Sequence, residues 1–416
     1  MKKLLLFLLP VMLLVGCNKS GIGEPSPESN GDMSGSSLDD AVEGGFGDDA
    51  GGGIGGGGNQ GGQSEAGKVT AAEWRDLDNW QFWSALMTNS AVDQEGNNYT
   101  SYSSYWEFYT NNRVAVRVLD GSDSPQEDVA VSLVRIVDGE QKTLYEGRTD
   151  NKGEVNMWIG LTQLQKEVDE KSLAFVVDGT VQQNEVSVTH WSEDVKWNTL
   201  TASAQDGKNI DIAFIVDATG SMSDEINFLK ADLTSIIKTV YNKHADADIR
   251  TAAVFYRDEE DDYLTRTSDF SEDLSTTVSF IAEQEADGGG DYPEAVHTAL
   301  EVGLQKLSWR EHGSMRIAFM LLDAPPHKNE AVIESLHKSI PQYARLGIRV
   351  IPVAASGVDK PTEFFLRFAA MATDGTYVFI TNDSGIGNDH IQATVGDYKV
   401  ELLGELMVRL IDQYLQ

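Results

Sequence analysis

The 416-residue chain has one cysteine, so no intrachain disulfide can brace it. Positive charge is also scarce: 32 Lys and Arg stand against 66 Asp and Glu, a formal net charge of −34. A surface of that sign repels phosphate backbones, which argues against nucleic acid as a partner. It also repels anionic lipid unless a covalent tether holds the chain there. Long hydrophobic runs are missing. Residues 4–14 are apolar but too short to span a bilayer as a permanent helix, and no later run is longer and as apolar. The seven histidines show no H-E-x-x-H or other zinc spacing, and no G-x-S-x-G elbow occurs. A hydrolase would need a nucleophile and a base that the sequence does not display, and the chain is expected to be non-enzymatic.

What is present divides the chain by composition. Met1-Lys2-Lys3 makes a basic start, and the apolar stretch ends in Leu14-Val15-Gly16-Cys17. This run resembles the lipobox of bacterial lipoproteins. The resemblance implies that residues 1–17 are a signal peptide and that a lipidated Cys17 is the membrane anchor. Asn18 in the next position implies sorting to the outer membrane of a bacterial envelope. Residues 18–68 are Gly, Ser and acidic residues that cannot bury enough surface to order themselves, a tether of roughly 40 Å r.m.s. span. Within it, residues 56–61 fit G-x-G-x-x-G and residues 62–68 fit G-x-x-x-x-G-K. Neither follows a strand, so both are discarded.

Composition changes abruptly after the tether. Residues 69–112 hold Trp74, Trp80, Trp83, Tyr99, Tyr102, Tyr105 and Trp106, a segment expected to pack over a sheet. The other reading is a stacking platform for sugar rings. Short alternating segments follow at residues 113–119, 129–137, 144–148, 155–159, 173–177 and 186–188, the signature of a small antiparallel β-sandwich over residues 113–200. The turn Thr149-Asp150-Asn151-Lys152-Gly153 resembles the T-D-x-x-G turn of carboxypeptidase-regulatory-like sandwiches, which implies a spacer or binding module.

From residue 208 to 416 strands alternate with helices, which predicts an α/β fold with a doubly wound, mostly parallel sheet. Ligands of such sheets bind at the carboxyl ends of the strands. There the first strand, residues 210–216, runs into Asp217-Ala218-Thr219-Gly220-Ser221. A carboxylate with two hydroxyls is a hard-oxygen set suited to a small divalent cation. Gly288-Gly289-Gly290-Asp291 precedes a middle helix, and Asp323 ends a later strand. These separated motifs resemble the von Willebrand factor A domain and its metal-ion-dependent adhesion site. The resemblance implies Asp217, Thr219, Ser221 and Asp323 as ligands of Mg²⁺ (or Mn²⁺ or Ca²⁺), with an acidic residue of a protein partner completing the coordination. The family's usual threonine is replaced here by Gly290-Asp291-Tyr292-Pro293-Glu294, and Asp291 is assigned its role, with Asp287 or a water as substitutes. Ser223, Asp224 and Glu225 are read as a helix cap and first turn. The cluster at residues 258–262 is read as a solvated loop, and His327 as incidental at the rim. Two alternatives stay open: an envelope assembly lipoprotein with a vestigial metal site, and a carbohydrate-binding module built on the aromatic segment.

Overall fold

The computed structural model describes residues 67–89, 98–203, 209–312, 314–387 and 389–415. Cys17 and almost all of the tether lie outside the described residues. Among these residues no helix is long and apolar enough to cross a membrane.

The chain begins with β1 (Thr70–Trp74), α1 (Trp80–Thr88) and α2 (Tyr99–Trp106). Then come β2 (Asn112–Leu119), β3 (Ala130–Val137), β4 (Glu140–Arg148), β5 (Glu154–Trp158), β6 (Leu173–Val177), β7 (Thr180–Val181), β8 (Thr189–His190) and β9 (Trp197–Thr201). The second half holds β10 (Asn209–Asp217), α3 (Ile226–Lys243), β11 (Asp248–Tyr256), β12 (Thr265–Ser271), α4 (Leu274–Ala282) and α5 (Val296–Gln305). It closes with β13 (Ser314–Leu322), α6 (Glu330–Arg345), β14 (Ile348–Ala354), α7 (Lys360–Ala372), β15 (Tyr377–Ile380), β16 (Glu401–Leu402) and α8 (Leu403–Gln413).

The fold is mixed α/β. Its main sheet has eight strands in the order β12-β11-β10-β13-β14-β15-β1-β16. The five strands from β11 to β15 run parallel, and β12, β1 and β16 pair antiparallel at the edges. The apolar run of β10 is almost unbroken because both faces are covered. Ile210, Ile212, Phe214 and Val216 join one core with α3 and α8, while Ala213 and Ile215 face a second core with α5, α6 and α7. Local signals fix the helix ends. Asn329 accepts from the Val332 amide at 3.0 Å to start α6, and Asp359 accepts from the Thr362 amide at 2.9 Å to start α7.

Two four-stranded sheets precede the main one, β5-β2-β8 with β9 beside β2, and β4-β3-β6-β7. Pairing is antiparallel except for β2 with β9. Val114, Val116 and Val118 of one sheet share a core with Val131, Leu133 and Phe175 of the other. The Thr149–Gly153 turn is held from within: Asp150 Oδ1 accepts from the amides of Lys152 and Glu154 at 2.9 and 2.8 Å. Gly153 has φ +70°, and a Cβ there would stand 2.4 Å from the Val118 carbonyl, so only glycine fits. Polar joints fasten these sheets to the main one. The Asn156 amide and side chain both donate to the buried Asp374 carboxylate, and Arg316 pairs with Asp128 at 2.9 Å.

Several elements depart from the sequence expectation. Thr70–Trp74 joins the main sheet beside β15 instead of packing over the sandwich. Its partner lies some three hundred residues away, and TAAEW carries no alternation to announce it. Residues 186–188 are buried but unpaired, and the strand instead forms at Thr189–His190. The last helix starts at Leu403, because Glu401 and Leu402 pair with β1. The aromatic segment is mostly core. Trp80 tilts against Trp158, Trp83 stacks on Phe364, and Phe108 stacks on Phe368 with centroids 4.0 Å apart. Trp80, Trp83 and Trp106 are buried, so a sugar platform made of these rings has no open face.

Candidate functional site

The site grows from the carboxyl ends of β10 and β13, which run side by side in register. Beyond β10 the chain turns sharply, because Asp217 Oδ1 accepts from both the Thr219 amide (2.9 Å) and the Thr219 hydroxyl (2.7 Å). The Thr219 and Ser221 hydroxyls lie 3.1 Å apart. A short 3₁₀ turn, Gly220–Asp224, then leads into α3. Neither Ser221 nor Ser223 caps that helix; Glu225 holds its cap position, with no side-chain cap hydrogen bond. Glu225 does different work: it is buried, and its Oε1 meets His390 Nε2 at 2.7 Å and accepts from the Ser356 amide at 3.2 Å. It thereby ties the loops after β14 and β15 to the base of the site.

The glycine loop before α5 docks onto this turn through two backbone bonds, Gly220 N to Gly288 O (3.0 Å) and Asp287 N to Ala218 O (3.1 Å). Close approach explains the glycines. A Cβ on Gly220 would stand 2.8 Å from the Gly288 carbonyl, and one on Gly288, at φ +77°, would strike Asp261. Asp261 accepts from the Gly289 amide at 2.9 Å and from the Asp258 amide at 3.0 Å. The acidic loop is thus a clasp for the glycine loop, not merely a solvated surface.

A pocket of about 280 Å³ opens between these pieces, lined by Ser221, the three glycines, Asp291, Tyr292, Glu294 and Asp323. Asp217 and Thr219 are fully buried beneath it, and Asp323 is 4% exposed. Of the expected residues, Asp217, Thr219 and Ser221 share one turn, and Asp323 stands on the adjoining strand end. Asp291 lines the same pocket from its open side, but its ligand atom groups with Asp258 and His327. Asp287 points away, its exposed side chain 3.9 Å from Arg257.

Glu294 is the residue that sequence reasoning missed. It is 2% exposed, and its amide donates to the Pro325 carbonyl at 2.9 Å beside the Asp323 loop. That bridge delays α5 until Val296. The signal was the G-G-D-x-P-E run itself, whose last carboxylate had been given no role.

Three buried oxygens here make no hydrogen bond of ordinary geometry, Asp217 Oδ2, Asp323 Oδ1 and Glu294 Oε2, although the Tyr256 hydroxyl stands near Asp217 and Ser221 near Asp323. Burial first, and then mutual repulsion, hold these carboxyls above their ordinary range. Glu294 is pushed up to about 9, and Asp217 and Asp323 are raised together. Orphaned carboxylate oxygens in a low-dielectric pocket are costly unless a proton or a cation meets them. This donor set therefore fits a hard divalent ion held by Asp217, Thr219, Ser221 and Asp323, with Glu294 as a further carboxylate beside it.

Comparison with known proteins bears on the same region. Residues 211–351 match the von Willebrand factor A domain. The alpha-protein kinase vwkA of Dictyostelium discoideum is 35% identical over 123 residues, 29% of this chain and 19% of that protein. An ariadne-like RING finger protein of Acanthamoeba polyphaga mimivirus is 30% identical over 131 residues, 32% of this chain and 12% of that protein. The chain thus spans less than a fifth of either relative's length. Strand order, the turn after β10 and the matched range agree: residues 211–351 of this chain are a von Willebrand factor A domain.

Proposed function

We propose that this chain is a non-enzymatic, divalent-cation-dependent binding protein, anchored to a bacterial outer membrane through lipidated Cys17. Its A domain captures an acidic residue of a partner protein at the pocket above Asp217, Thr219, Ser221 and Asp323. The observation that carries this reading is the trio of unpartnered buried oxygens on Asp217, Asp323 and Glu294 around one pocket. A bound Mg²⁺ or Mn²⁺ would neutralise them and supply Lewis acidity towards an incoming carboxylate. The chain's own residues do the rest. Thr219 and Ser221 contribute neutral oxygens, so the cation is not over-neutralised. Asp217 Oδ1 is occupied with the Thr219 hydrogen bonds, which leaves Oδ2 as the free donor. The exposed Tyr292 ring, whose hydroxyl donates to the Gly357 carbonyl at 2.9 Å, walls the open side where a partner would enter.

Calorimetric titration of Mg²⁺ and Mn²⁺ into the full chain tests the reading. Saturable binding that Asp217→Ala abolishes supports it. Binding indifferent to that substitution overturns it.

A further inference from the structure

Next to this pocket stands another group of ligating side chains, drawn from three loops. Asp258 follows β11, Asp291 ends the glycine loop and His327 follows β13. One ligand atom from each lies within 4.8 Å of the other two. His327 Nε2 is 2.7 Å from Asp258 Oδ1. Asp258 is 8% exposed, whereas Asp291 is open to solvent. The loops that carry them are fixed before any ligand arrives, since Asp261 bonds the amides of both Asp258 and Gly289. Glu294, three residues after Asp291 in the same segment, is 2% exposed with Oε2 unpartnered and lines the pocket that Asp291 also lines.

We propose that Asp258, Asp291 and His327 form a second divalent-cation site that selects a borderline-soft transition metal of the zinc class. The first site offers only carboxylates and hydroxyls, which suit Mg²⁺ or Mn²⁺. An imidazole joined to two carboxylates shifts preference towards zinc. The spacing is compatible. Tetrahedral zinc with ligands at about 2.0–2.1 Å sets its donors about 3.3 Å apart, so the His327–Asp258 pair opens by about half an ångström and Asp291 closes in. Binding replaces the His327–Asp258 hydrogen bond and gives the Nε2 lone pair to the metal. Three protein ligands leave a fourth position free for water or for a partner's carboxylate. Sequence spacing could not reveal this site, because its ligands are contributed by three separate loops.

The experiment uses the full chain, titrated with Zn²⁺ in saturating Mg²⁺, alongside His327→Ala, Asp291→Asn and Asp217→Ala. One equivalent of Zn²⁺ should bind without displacing Mg²⁺. His327→Ala and Asp291→Asn should each weaken Zn²⁺ by tenfold or more, His327→Ala should leave Mg²⁺ affinity unchanged, and Asp217→Ala should keep Zn²⁺. X-ray absorption of the zinc-loaded wild type should show an imidazole neighbour, a readout that needs no variant to fold. Zinc that competes with Mg²⁺ for one site, persists in His327→Ala, or lacks an imidazole neighbour overturns the proposal. Should Asp217→Ala leave Mg²⁺ binding intact, the reading of the first site fails by itself.

Discussion

Asp217 and Asp323 end neighbouring parallel strands, and each leaves one buried carboxylate oxygen without a partner. Burial raises both, helped by the charge of Asp258 at Asp217 and of Asp217 at Asp323, and Glu294 beside them is raised to about 9. A carboxyl raised on folding stabilises the native state below its unfolded value, and that stability is lost as pH climbs through the folded value. For Glu294 the window runs from 4.5 to about 9. Thermal melts in EDTA should therefore fall across this window, and melts in Mg²⁺ should fall much less. A gap between the two curves that does not widen with pH would count against a cation at these oxygens. Glu294→Gln should flatten the EDTA curve.

Gly220 tests whether the glycine loop positions the ligands. Its missing side chain allows the Gly288 carbonyl to approach, and an added Cβ would stand only 2.8 Å away. Gly220→Ala should push the loop off the turn that holds Thr219 and Ser221. Loss of outer support at metal sites commonly costs about 10–100-fold in affinity, and a loss of that size is expected for Mg²⁺ here. Unchanged affinity would mean that the turn holds its shape without the loop.

Much of the A domain was legible because its information is local. The run before Asp217 reads as a strand buried on both faces, and the D-x-T-G-S turn is stabilised by atoms within five residues of one another. The illegible parts depend on pairings distant in sequence. Thr70–Trp74 gains its strand character only from Tyr377–Ile380 and Glu401–Leu402, and Glu294 gains its place from a bridge to Pro326. The role of Glu225 was masked by an equally good local explanation, since an acidic residue at a helix start suits the dipole regardless of its contacts. Asp258 and His327 were set aside one at a time, and only the fold brings them within reach of Asp291.

Cys17 carries the proposed anchor, and its role can be read apart from the metal chemistry. The chain's net charge of −34 disfavours adsorption to anionic lipid, so membrane attachment should depend on acylation alone. Full-length protein expressed in a bacterial host should sediment with membranes and incorporate labelled palmitate. Cys17→Ser should abolish both. Sedimentation that survives the substitution would remove the lipid anchor from the proposal.

The N-terminal segment is bound to α7 by a buried ion pair whose loss should be measurable. Arg367 on α7 is fully buried, and its guanidinium donates to both carboxylate oxygens of Asp76, at 2.9 and 2.5 Å. It also donates to the Tyr99 hydroxyl at 2.9 Å and lies over the Trp83 ring, so one side chain fastens the segments after β1 and in α1 and α2. Removing one partner of such a pair strands the other charge, at a cost of about 3–5 kcal/mol. Glu363 stands 3.6 Å from the same guanidinium, but Lys360 already engages it at 2.8 Å, so its compensation is partial. Asp76→Ala should therefore fall near the lower figure, about 3 kcal/mol in urea unfolding. Asp76→Leu combined with Arg367→Met should recover part of that loss, because a well-packed apolar pair needs no desolvation of charge. If Asp76→Ala costs less than about 1 kcal/mol, the pair behaves as a surface ion pair would, and the N-terminal segment is held by its strand pairing and aromatic packing instead.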